Sequence, residues 1–178
     1  YPKISSSVRR LIGPIFSRLE TIVLSGAQIL ITVGFGIGAL IMGAIYPITV
    51  VMGLHHMYNV IEAGMLASEQ FNNLNIWIPV ASAANFAQFG ACLAVCIKCK
   101  SNKTKQVAIP SSMSAALGIT EPAIFGVNMR FHKPFVCGMI GGAIGSMLGS
   151  WMGLGAKANG VTGIPGYLTI NKPFQYTI

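Results

Sequence analysis

Of the 178 residues, 53% are hydrophobic and only 9% are charged, where soluble domains carry about 25% charged residues, so too few ions remain to clothe a water-exposed surface. The formal net charge of +8 comes from twelve Lys and Arg against four Glu and no Asp. The basic residues gather in short segments between long uncharged runs, the pattern of membrane loops, which excludes a nucleic-acid binder with phosphate-neutralising side chains spread over a soluble face.

Residues 1–20 hold Lys3, Arg9, Arg10 and Arg18 and read as a basic cytoplasmic flank; with no signal-peptide pattern and no initiating Met, the chain reads as a fragment. No charge occurs from 21 to 54, longer than the roughly 20 apolar residues that cross a bilayer core, and 22–46 is the first predicted span. Gly34, Gly36, Gly38 and Gly43 would let neighbouring helices approach closely, and Pro47 is expected to end or kink the helix.

Residues 47–68 are apolar but contain His55, His56, Asn59 and Glu62, and a polar stretch, 69–75, follows. This predicts a re-entrant segment, because interrupted backbone inside a membrane needs protein or a watery cavity around it. The second predicted span is 76–97, with Pro79 tolerated in its first turn. Lys98, Lys100, Lys103 and Lys105 follow at once and place that end in the cytoplasm.

A second re-entrant segment is predicted over 107–129, broken by Pro110, Gly118, Pro122 and Gly126 and closed by Arg130 and Lys133. The third predicted span is 134–156, where Gly141, Gly145, Gly149 and Gly153 stand four apart on one helical stripe suited to tight contact. Residues 157–178 are rich in Gly and Pro and read as an outer loop. The expected fold class is therefore all-α integral membrane, with spanning helices and two re-entrant hairpin segments entering from opposite faces, an arrangement that transporters place around a central substrate site.

Glu121 lies among these helix breakers, where an ionised carboxylate costs about 2.5 to 3.5 kcal/mol on insertion scales. Either a salt bridge or protonation offsets that cost, or the carboxylate binds substrate by accepting hydroxyl protons in short charge-assisted bonds. His55 and His56 are adjacent, so on a regular helix they point about 100° apart and only one faces a given ligand. Each imidazole can donate from one nitrogen and accept at the other. Glu62 follows His55 by seven residues, on roughly the same helix face, while Asn85 and Gln88 are the polar minority of the second span; all three suit either the hydroxyls of a substrate or helix cross-linking. Cys92, Cys96 and Cys99 share a helix face, but no His stands at metal-ligand spacing and packing is the preferred reading. Nothing in the sequence calls for a metal or a cofactor.

Four blocks carry a resemblance: 53–64 (GLHHMYNVIEAG), 81–88, 118–130 (GITEPAIFGVNMR) and 155–164 (GAKANGVTGI). They resemble successive blocks of the enzyme IIC domain of the glucose superfamily of phosphotransferase systems, and within it the sucrose-specific permeases most, with trehalose and β-glucoside relatives behind. The likeness runs through nearly all of 22–166. It implies the C-terminal part of a IIC domain with the final span missing, in a multi-pass protein of the bacterial plasma membrane.

It further implies that sugar is bound between two re-entrant hairpins by Glu121 and by His55 or His56. A phosphocysteine on a IIB domain then phosphorylates the sugar, and the full-length protein is a homodimer. No Cys here sits in the phosphorylation motif, so this stretch is expected to bind sugar and not to phosphorylate it. The runner-up reading is an ion-coupled secondary sugar transporter with Glu121 as proton carrier. A third, a membrane scaffold, leaves the buried Glu121 without a role.

Overall fold

The computed structural model describes residues 36–176 together with Gly26 and Ile29. The predicted flank 1–20, most of the first predicted span and the last two residues of the outer loop lie outside the described residues. Among the described residues the architecture is helical, with isolated bridges joining Asn75, Ala156 and Ile170 as its only extended pairing.

Helix α1 is Ile37–Val51 and passes through Pro47 without ending there. Proline has no N–H for the carbonyl four residues back, which here belongs to Gly43. That carbonyl faces Gly142, where a Cβ would lie 3.0 Å from it. The break falls later, at Gly53, whose φ of +73° is costly for a residue with a side chain. A tight turn, Leu54–Met57, and helix α2, Tyr58–Ala67, follow, bent 113° from α1.

Helix α3 is Trp77–Lys98. Its first turn is capped from Asn75, whose Oδ1 accepts from the backbone N–H groups of Trp77 at 2.9 Å and Ile78 at 3.2 Å, satisfying two of the orphan donors of a helix start. Helix α4, Asn102–Ala116, ends as Gly118 turns into the left-handed region at φ +96°. Helix α5 runs back as three consecutive stretches, Glu121–Ala123, the π-wound Ile124–Asn128 and Met129–Phe131. After a corner at His132, α6 is Lys133–Trp151.

Two of these, α3 and α6, are long and apolar enough to cross a membrane, and the bent α1–α2 pair makes a third if counted as one span. The α3 boundaries match the expected 76–97 closely because charge and polar loops flank the apolar run on both sides. The third predicted span, 134–156, stops as a helix at Trp151, and Gly153 at φ +62° turns the chain away.

α3 and α6 lie antiparallel, since Gln88 meets Phe135 while the Ser146 hydroxyl donates to the Val80 carbonyl at 3.2 Å. The tightest contacts are made by Gly138, Gly142 and Ser146. A Cβ on Gly142 would lie 2.9 Å from Cα of Ala84, and one on Gly43 would collide with Ser146. The predicted stripe also touches α3, with Gly141 and Gly145 facing the methyls of Ala87 and Ala83 at 3.2 Å from an added Cβ. Gly141, Gly145 and Gly149 border an apolar groove of about 680 Å³ between α3 and α6.

Candidate functional site

The antiparallel packing gathers the chain's polar features by height. Lys98 to Lys105 and Arg130 to Lys133 lie at one end, and the turn at Asn72 and Asn73, both at positive φ, lies at the other. Asn85 is eight residues into α3, about 12 Å from its start at 1.5 Å per residue, and so stands well inside a helix of spanning length. At this level the turn between α4 and α5 meets α3, with the Thr120 hydroxyl donating to Asn85 Oδ1 at 3.2 Å.

Glu121 follows as the first residue of α5, behind a turn that Gly118 makes possible. Its Oε1 lies 3.3 Å from Nε2 of His55, which the Gly53 break and the following turn swing over from the other bent pair. The His55 side chain is 16% exposed and that of Glu121 42%. Both His55 ring nitrogens are buried and neither is in a hydrogen bond among the described residues, so the contact with Glu121 is electrostatic, and an ion pair when the imidazole is protonated.

His56 is exposed, and its ring stacks on that of His55 with centroids 4.0 Å apart. The tight turn thus keeps the two rings side by side instead of splaying them as a regular helix would, although only His55 contacts Glu121 among the described residues. Beneath the turn, Tyr58 packs tilted against Trp77, with ring centroids 4.6 Å apart, and against Tyr46 at 6.0 Å. This aromatic seat fixes the turn to α3 and α1. Sequence reasoning passed over it because its members are 31 residues apart at the extremes, each reading singly as core.

The other predicted residues are drawn into the protein. Gln88 is fully buried, donating to the Phe135 carbonyl at 3.1 Å and accepting from Asn128 Nδ2 at 2.8 Å. Asn128 also donates to the Gln88 carbonyl at 2.9 Å, so the π-wound part of α5 is pinned to α3. Asn85 is buried and bridges Thr120 and Thr162, donating to the Thr162 hydroxyl at 3.2 Å. Glu62, only 4% exposed, accepts from the backbone N–H of Gly160 at 3.3 Å.

The structure therefore brings together Glu121, His55 and His56, while Asn85, Gln88 and Glu62 hold surrounding segments. Thr120, Asn128, Gly160 and Thr162 join these supports. Only their membership of the 118–130 and 155–164 blocks hinted at them. Among the described residues no cluster of His, Cys and Glu is arranged for a metal, and the apolar groove is lined by none of the six predicted residues. Walls without convergent polar groups suit hydroxyl-rich ligands poorly.

The family model for the phosphotransferase system EIIC domain matches residues 4–142. The sucrose-specific EIIBC component of the phosphotransferase system of Bacillus subtilis (strain 168) is 46% identical over 141 residues, 79% of this chain and 30% of that protein. The sucrose-specific EIIBC component of Salmonella typhimurium is 44% identical over 133 residues, 73% of this chain and 28% of its own. The trehalose-specific EIIBC component of Bacillus subtilis (strain 168) is 34% identical over 164 residues, 92% of this chain and 34% of its own. The chain thus spans 28 to 34% of the length of these curated relatives. No solved structure matches it.

Proposed function

The chain belongs to the phosphotransferase system EIIC family, and from that premise we propose that it is the sugar-binding part of a permease that phosphorylates sucrose during uptake. The single observation that carries the reading is the meeting of Glu121 with His55, from two separately broken helix pairs, where the carboxylate is partly open and the imidazole nitrogens have no hydrogen bond among the described residues. A carboxylate accepts and an imidazole both donates and accepts, the complement a sugar hydroxyl needs. His56 extends the polar wall from its stacked position. The glucosyl and fructosyl rings of sucrose would be held by such hydroxyl contacts, and the sugar is then phosphorylated by a phosphocysteine on a IIB domain fused to the full-length protein.

In this proposal the protein crosses the bacterial plasma membrane several times, the two broken pairs are re-entrant hairpins, and the full-length protein is a dimer. Uptake tests the reaction class. Right-side-out vesicles with the full-length protein should accumulate sucrose phosphate only when phosphoenolpyruvate and the phosphoryl carriers are loaded inside them. Uptake of unmodified sucrose that collapses with uncouplers would instead identify a proton-coupled carrier with Glu121 titrating.

Orientation is tested by single cysteines in a cysteine-free background. Asn73→Cys should react with an impermeant maleimide from outside and Lys100→Cys only from inside, as the Lys-rich end demands. The opposite labelling would invert the topology and both hairpins with it.

A further inference from the structure

Resting on that reading of the site, we infer that segment 155–164 is a strap that sets Glu121 against His55, with Thr162 as its positioning residue. The strap leaves the end of α6 and is tied down at both margins of the site. On one side the Gly160 N–H donates to Glu62, on the helix that directly continues the His55 turn. On the other, the Thr162 hydroxyl donates to the Gly118 carbonyl at 3.3 Å and accepts from Asn85 at 3.2 Å. Asn85 in turn accepts from Thr120, the neighbour of Glu121. One hydroxyl thus completes a ring through Gly118, Thr120 and Asn85 that encloses the turn before the carboxylate.

Backbone shape fits the same purpose. Gly118 and Gly163 have φ of +96° and +71°, and a Cβ on Gly163 would lie 2.5 Å from the Gly118 nitrogen. Two chains approach this closely only where both lack side chains. The strap itself is anchored away from the site, by the two backbone hydrogen bonds that Asn75 and Ala156 exchange, both 2.8 Å, and by the single bond that the Lys157 N–H donates to the Thr169 carbonyl at 2.8 Å. It is a fixed beam, and the Glu121 turn takes its position from it.

The consequence is that Thr162 influences sugar affinity without touching sugar, through Glu121 alone. Thr162→Val keeps the shape and removes both hydroxyl bonds, while Thr162→Ser keeps them. In the full-length protein, equilibrium binding of radiolabelled sucrose should weaken about three- to tenfold in Thr162→Val, as the loosened turn gives up about the worth of one hydrogen bond at Glu121, and recover in Thr162→Ser. Placed on Glu121→Gln, Thr162→Val should weaken binding no further, since coupled residues are not additive. Equal losses in both backgrounds would overturn the strap while leaving the site intact. An unchanged affinity in Glu121→Gln itself would overturn the site reading instead.

A sugar-free measurement decides the strap independently. Spin labels on the exposed positions Met57 and Ile119 report the separation of the two halves, and their distance distribution should broaden in Thr162→Val and narrow again in Thr162→Ser. An unchanged distribution would overturn the proposal whatever sugar is carried.

Discussion

Glu121→Gln in the full-length protein is expected to bind sucrose about ten- to a hundredfold more weakly, with its folded yield unchanged. The substitution keeps the side chain's size and one acceptor but removes the charge that strengthens hydrogen bonds from sugar hydroxyls, and such bonds contribute about 1.5 to 3 kcal/mol, a range that spans the stated factors. Among the described residues Glu121 makes no hydrogen bond that the amide would break, and its ion-pair partner there is His55 at 3.3 Å.

The two histidines should separate in the same assay. His55→Ala removes the contact to Glu121 and two buried ring nitrogens that have no hydrogen-bond partner among the described residues. His56→Ala removes an exposed ring stacked at 4.0 Å, so its loss should be smaller. Equal effects from both would place the sugar on the outer face of the pair. An unaltered affinity in Glu121→Gln, with the protein intact, would remove the carboxylate from the site.

Gly142→Leu is expected to abolish the recovery of folded, monodisperse protein. The first added carbon already meets Cα of Ala84 at 2.9 Å and the Gly43 carbonyl at 3.0 Å. Backbone cannot yield as a flexible side chain does, and α1, α3 and α6 would have to part together. Overpacking a core costs about 1 to 3 kcal/mol even where side chains can give.

Gly145→Leu should be milder. Its Cβ faces the Ala83 methyl at 3.2 Å, and the residue borders the apolar groove, which can take the remaining carbons. Size-exclusion profiles after detergent extraction compare the two directly. Normal assembly of Gly142→Leu would show that the three helices are not clamped at this point.

The contrast between these glycines marks where the sequence stops being informative. Spacing by four identified a stripe at Gly141, Gly145, Gly149 and Gly153; the first two do touch α3, while Gly153 lies beyond the end of α6. The closer approach uses Gly138, Gly142 and Ser146, one residue around the helix, because Gly43 of α1 also fits there. That second partner belongs to a helix whose angle no periodicity encodes. Likewise α3 was readable from its polar and Lys-rich margins, whereas the first break moved from Pro47 to Gly53, since Pro47 is accommodated, buried, within the helix.

The site divides in the same way. Glu121 was legible because a lone carboxylate among Gly and Pro in an apolar segment needs a reason to exist, and the adjacent histidines were legible for the same cause. The tasks of Asn85 and Gln88 were not, because hydroxyl binding and cross-linking demand the same amide. Only the partners decide it: Thr120 and Thr162 for one, Asn128 and the Phe135 carbonyl for the other.

The order of synthesis makes the strap the last piece to arrive. Thr162 bonds to Gly118 across 44 residues of sequence, and α6 must emerge from the ribosome and settle before the strap can reach back. Until then a nascent chain carries the Glu121 turn with Asn85 and Thr120 already made but the ring through Thr162 still open. On the proposed role of the strap, an arrested chain ending before Gly160 would contain His55, Glu121 and Asn85 without the segment that ties their surroundings together.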